Sequence, residues 1–215
     1  MPTIETLLLF TAAAFILAVT PGPGIFYVAA RTLAGGRAEG IASSIGTGIG
    51  GVFHVAAGAL GVSALVLASA ELFTALKLVG AAYLVFIGWR TFQSARGEGA
   101  DLVVSAGAPP VGVWRAMREG ILVEALNPKT AAFFLAFIPQ FVSPAQGSVA
   151  LQFIVLGLIS VGLNTLIDIG VAFAASRIRA GAASRPNLIR RMREGAGVAM
   201  ALLGIGLVFA RRPAA

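Results

Sequence analysis

Apolar residues fall in long runs along this chain, and polar residues collect between the runs. The first run, Thr6 to Ala30, opens on Leu7-Leu8-Leu9-Phe10 and carries no charge until Arg31. Further runs cover about residues 41–70, 72–92, 121–142, 149–175 and 196–210. Runs with no polar face predict helices surrounded by apolar matter, and most reach the ~20 residues that cross the hydrocarbon core of a bilayer. The pattern therefore predicts an all-α integral membrane protein with six transmembrane helices, forming a single transmembrane transporter domain over residues 1–215. Glu71 and a tight turn separate the second and third spans. Gln93 to Pro110 is rich in Gly, Ala, Ser and charge and ends in Pro109-Pro110, so it reads as a solvated loop between two groups of three spans. Residues 93–118 combine that loop with an amphipathic lead-in, in which Val113, Trp114 and Met117 alternate with Arg115, Arg118 and Glu119. The first run has no basic residue ahead of it, which predicts a retained span and not a cleaved signal.

Composition agrees. Of 215 residues, 58% are hydrophobic and 12% charged, and the mean hydropathy is +0.91. Soluble domains average roughly 45–50% apolar and 25% charged residues. Six spans leave no room for a separate soluble catalytic domain. With no Cys and one His, thiolate chemistry and a two-histidine metal site within the chain are excluded.

The net charge of +7 sets orientation instead of pointing to nucleic acid. Taking alternate sides for successive connections, Arg31, Arg37, Arg90, Arg96, Arg115, Arg118, Arg177, Arg179, Arg185, Arg190, Arg191 and Arg193 share one side, twelve of the sixteen Lys and Arg residues. The other side holds Lys77, Arg211 and Arg212, and Lys129 lies inside the fourth span. The positive-inside rule then places the twelve in the cytoplasm and both termini outside. Three spans per half would make two related halves inverted three-helix repeats, as in many secondary transporters. Pro21 and Pro128, half a chain length apart, mark the repeat, with Pro-broken first and fourth helices.

Thr20-Pro21-Gly22-Pro23-Gly24 lies inside an otherwise continuous apolar run. Each Pro lacks an N–H and clashes with the carbonyl four residues back, so Pro21 and Pro23 should free the carbonyls of Leu17 and Val19, and the glycines allow unwinding. Freed backbone groups are tolerated in a membrane only inside protein or at a wet cavity, so a discontinuous-helix binding site outweighs a simple kink. Asn127-Pro128-Lys129 repeats the device and should free the carbonyl of Glu124. Lys129 is the stronger functional candidate of the two ionisable groups there. Glu124 either faces the site or snorkels to the inner interface. Five positions apart, the two diverge by about 140° on an intact helix and pair only if the break rearranges them.

Ser160, Asn164 and Asp168 stand four apart on one face of the fifth span. Interhelical hydrogen bonding accounts for Ser160 and Asn164. Asp168, a carboxylate inside a span, is either a proton carrier and ammonium ligand or a static ion-pair partner of Lys129. Gly46, Gly50, His54 and Gly58 form a small-residue packing face, on which His54 is expected as a helix-to-helix hydrogen-bond partner more than as a proton relay. No phosphate loop, His-Glu-x-x-His or Gly-x-Ser-x-Gly motif occurs, so neither direct use of ATP nor hydrolase chemistry is expected.

The chain resembles the LysE/RhtB family of bacterial amino-acid exporters. Thr20-Pro21-Gly22-Pro23, Gly46 to His54, Lys77-x-x-Gly80-Ala81-Ala82-Tyr83-Leu84-x-x-x-Gly88, Asn127-Pro128-Lys129 with Phe133-Phe134, and Pro139-Gln140-Phe141 carry the resemblance. Glu124 is a departure from it, a neutral residue being expected before Asn-Pro-Lys. The resemblance implies a multi-pass exporter of amino acids or close derivatives in the bacterial inner membrane, driven by the proton-motive force, with the Pro breaks and the surroundings of Asp168 as the substrate path. It implies no enzyme activity and no cofactor or metal. The implied partners are a small amino-acid substrate, protons and the lipid bilayer, with a homo-oligomer compatible with both. Charge chemistry agrees, since a substrate carboxylate suits helix N-termini and Lys129, and an ammonium suits Asp168 and freed carbonyls. The competing readings are an inorganic cation exporter, for which the ligand set is poor, and an intramembrane enzyme, for which only His54, Glu124 and Asp168 offer acid or base.

Overall fold

The computed structural model describes residues 2–68 and 110–181, together with scattered positions within 74–93 and 194–209. The predicted third and sixth spans, and the loop over 93–110 apart from its first and last residues, thus lie largely outside the described residues. Among the described residues there is no strand.

The first predicted span is two helices, α1 (Ile4–Val19) and α2 (Pro23–Gly35), bent by 48° at the break. Thr3 caps α1 by accepting the amide of Thr6 at 3.2 Å. Gly36, at φ 86°, ends α2 and turns the chain at once into α3 (Arg37–Ala68). That left-handed conformation is open to glycine without steric cost. The second half begins with α4 (Val113–Ala125) and α5 (Pro128–Ala132). From α5 the chain continues through a π-helical turn at Phe133–Phe137 and a 3-10 turn at Ile138–Phe141. The bend between α4 and the segment Pro128–Phe141 is 42°. A long unbroken helix, α6 (Val149–Gly181), follows. The order of broken helix then long helix thus occurs twice, as related halves would give. The predicted lead-in is not separate from the fourth span, because α4 runs through it without interruption.

Among the described residues, α3 and α6 are the single helices long and apolar enough to span a membrane, and each bent pair qualifies as one further span. Outward-facing Leu8, Leu60, Leu126 and Leu166 are each at least 67% exposed within the chain. Side chains of this kind at such exposure are stable against hydrocarbon, where water would penalise them. The interior is aromatic. Phe10, Phe133, Phe134 and Phe153 are buried together with Ile138 and Leu156, and the π-helical turn stacks Phe133 on Phe137 at 4.9 Å.

α3 runs against α4 and α6 and also meets α2. Its contact with α4 is backbone to backbone. A Cβ on Gly46 would collide with the carbonyl of Met117, one on Gly50 would lie 2.6 Å from the Ile121 oxygen, and one on Gly120 would lie 2.8 Å from the Ser43 oxygen. The small-residue face predicted from sequence is therefore a packing face. Because a helix carbonyl cannot swing aside as a side chain can, Gly46→Ala should cost on the order of 1–3 kcal/mol. Gly61, with nothing among the described residues within 4 Å of its added Cβ, supplies the control. Melting in detergent should drop for Gly46→Ala and hold for Gly61→Ala; equal melting would contradict this packing.

Candidate functional site

The break between α1 and α2 is extended, with Thr20 at φ −71°, ψ 114° and Gly22 at φ −148°, ψ −173°. Pro23 opens α2, where its missing N–H costs no helical bond. Pro21 leaves the Leu17 carbonyl without its i+4 amide, as predicted. That oxygen accepts the Thr20 amide at 3.1 Å and, from 112 residues away, the Lys129 ammonium at 3.0 Å. The second acceptor is the Thr20 carbonyl, at 2.7 Å from Lys129 Nζ; it is not one of the two carbonyls expected to be freed by the prolines. The extended backbone at Thr20 makes it available, since the carbonyl of a residue outside the helix is released from the helix axis. The Thr20 hydroxyl donates back to the Ile16 carbonyl at 2.7 Å.

At the second break Asn127 caps α5. Its Oδ1 accepts the Lys129 amide at 3.0 Å, and its Nδ2 donates to Glu124 Oε2 at 2.9 Å. The Thr130 hydroxyl donates to Glu124 Oε1 at 2.6 Å. With both oxygens bonded and only 3% exposure, Glu124 does not snorkel; its own break neighbours supply the donors that an interface would otherwise provide. The Glu124 carbonyl, freed by Pro128 as predicted, accepts from the Asn127 amide at 3.0 Å and from His54 Nε2 at 2.9 Å. His54 is thus a helix-to-helix partner, as its packing face suggested. The break does not pair Glu124 with Lys129: the lysine crosses to α1 and the glutamate stays within its own turn.

Asp168 on α6 is fully buried. Its Oδ2 lies 2.7 Å from the Thr47 hydroxyl of α3, and its Oδ1 has no partner among the described residues. No ion pair joins it to Lys129 among the described residues, so the static-pair expectation fails in this conformation. Lys129 is held by backbone dipoles instead. Two carboxylates nonetheless converge on the first turn of α2. A Cβ at Gly24 would lie 3.0 Å from Glu124 Oε2 and 4.0 Å from Asp168 Oδ2, and one at Gly22 would lie 3.0 Å from Lys129 Cδ. The two glycines give charged groups from the opposite half direct access to the α2 start, whose unpaired amides favour anions.

Leu17, Thr47, Glu124, Lys129, Ser160 and Asn164 line a pocket of about 20 Å³ between the breaks and α6. That is room for a water molecule and less than an amino acid needs. Ser160 and Asn164 contribute lining, in keeping with their places on the polar stripe. Toward the arginine-rich end, the Tyr27 hydroxyl donates to the Ala116 carbonyl at 2.7 Å and to Glu119 at 3.2 Å. Arg115 donates to Glu119 at 2.8 Å, and Arg31 approaches Glu119 at 3.7 Å. This network fastens α2 to α4. Sequence reasoning missed Thr47, Thr130 and Tyr27. The one signal available was that hydroxyl residues interrupt the glycine face and follow Lys129 directly. Among the described residues, no group of three or more His, Asp or Glu could hold a metal.

Comparison with known proteins agrees with this architecture. The chain is 30% identical over 210 residues to the homoserine/homoserine lactone efflux protein of Salmonella typhimurium, covering 97% of this chain and 98% of that protein. It is 28% identical over 207 residues to a Vibrio cholerae membrane protein, covering 96% and 97%. It is also 25% identical over 149 residues to the leucine efflux protein of Enterobacter sp. strain 638, covering 68% of each. No solved structure matches. The model of the LysE type translocator family matches residues 15–211. The chain belongs to that family.

Proposed function

We propose that this protein exports amino acids or close derivatives from the cytoplasm, driven by the proton-motive force. The observation that carries the reading is the dipolar site at the helix breaks. An ammonium rests on released carbonyls on one side, and buried carboxylates with one oxygen unpartnered among the described residues stand on the other. An amino acid is a zwitterion and needs both signs. The relatives named for homoserine, its lactone and leucine support the substrate class. The arginine count supports insertion in the bacterial inner membrane with both termini outside. The water-sized pocket corresponds to a closed state, which alternating access must open.

Retention of labelled homoserine and leucine in cells lacking or overproducing the chain tests the reading. Overproducing cells should lose the label faster and tolerate higher internal loads. A metal-tolerance phenotype without that difference would favour an inorganic cation exporter, and chemical conversion without transport would favour an enzyme.

A further inference from the structure

We infer that the ammonium group of the substrate binds where Lys129 Nζ now sits, on the carbonyls of Leu17 and Thr20, so that Lys129 is a tethered competitor for its own transport site. The inference rests on the amino-acid reading above and deepens it by assigning the subsite. The two carbonyls lie 3.0 and 2.7 Å from the lysine nitrogen, which is the range of charge-assisted bonds to an ammonium. Pro21 and the extended backbone at Thr20 keep both oxygens available without unwinding any regular helix. The lysine stem reaches them past Gly22, where a Cβ would lie 3.0 Å from Lys129 Cδ.

The hydrogen bonds of Lys129 go to two carbonyl dipoles and to no carboxylate. Neither Asp168 nor Glu124 forms an ion pair with it among the described residues, and the oxygens of Glu124 accept from Asn127 and Thr130. A second primary ammonium on the same carbonyls makes the same bonds, so the exchange requires no ion pair to be broken. The pocket meets both Leu17 and Lys129, so an opening of this closed state at that place would bring an arriving ammonium beside the Leu17 carbonyl. The displaced lysine then meets the substrate carboxylate where one is present. The compounds for which the relatives are named fit this division of labour. Homoserine, homoserine lactone and leucine share an α-ammonium, whereas the lactone has no free carboxylate.

Occupancy by Lys129 taxes substrate affinity in proportion to the time the carbonyls are covered; coverage for nine-tenths of the time costs about tenfold. The test titrates purified protein in lipid nanodiscs with methylammonium, leucine and N-acetylleucine, comparing wild type with Lys129→Met. Methylammonium and leucine should bind Lys129→Met about tenfold more tightly than wild type, with no gain for N-acetylleucine. Unchanged or weaker methylammonium binding, or an equal gain for N-acetylleucine, would overturn the proposal. If Lys129→Met does not fold, Lys129→Ala purified in methylammonium should recover a cooperative melt. Tetramethylammonium, which has no N–H, should not restore it. Failure of both cations, or rescue by both alike, would equally overturn it. Wild type that exports none of the amino acids would sink the export reading alone, because methylammonium reports on the carbonyls whatever the natural substrate.

Discussion

Asp168→Asn is expected to abolish uphill export while leaving the protein inserted and downhill exchange of labelled substrate intact. Asparagine has the shape of the carboxylate, and its amide oxygen still accepts from Thr47, so the packing of α3 on α6 should survive. What it cannot do is take up and release a proton. The hydrogen bonds around Asp168 suit that task. Thr47 has one hydroxyl proton but faces two acceptors, Asp168 Oδ2 at 2.7 Å and the Ser44 carbonyl at 2.9 Å. When Asp168 carries a proton it donates to Thr47, which then donates to Ser44, and both contacts of the Thr47 hydroxyl are filled. Protonation adds a bond where it would usually break one. One proton per cycle supports a substrate gradient of about tenfold per pH unit, or about 1.4 kcal/mol. The variant should bring that ratio to one. Because Lys129 lies on carbonyls in this conformation, combining Asp168→Asn with Lys129→Gln should not restore uphill transport; its return would make Asp168 a static partner and not a carrier.

Pro21→Ala and Pro128→Ala are expected to lower export per inserted molecule on the order of 100-fold while membrane abundance holds or rises. Proline inside a helix costs about 3 kcal/mol relative to alanine, so alanine returns about that much to the straight helix. At position 21 the new amide would compete with Lys129 for the Leu17 carbonyl. At position 128 it would compete with His54 for the Glu124 carbonyl and straighten the 42° bend that carries Lys129 across to α1. Transport normalised to protein in the membrane separates this from simple misfolding. Normal rates in both variants would reduce the prolines to packing kinks.

The breaks were legible in the sequence because proline acts locally: its missing amide and its clash are written at the residue itself. Asp168 was legible for a similar reason, since a carboxylate in an apolar run stands out whatever surrounds it. The destination of Lys129 was not legible. Its acceptor Thr20 lies 109 residues away, and helical phase within one span says nothing about which other span it faces. Glu124 looked free to snorkel because its donors, Asn127 and Thr130, reach it only after Pro128 has turned the chain. Thr47 was hidden by its neighbours, as a hydroxyl among glycines reads as one more small residue until α6 brings a carboxylate to it. The start of α4 was missed because amphipathic and apolar stretches differ in their surroundings and not in their backbone.

Counterflow in liposomes tests most directly whether the paired helix breaks form an amino-acid transport site. Purified protein is reconstituted with a high internal load of unlabelled homoserine or leucine, and the same labelled compound is added outside at low concentration. Wild type should accumulate label transiently above equilibrium, and Pro21→Ala and Pro128→Ala at equal protein content should not. Absence of counterflow by wild type for either compound and for the remaining amino acids, or equal counterflow by the proline variants, would contradict the account.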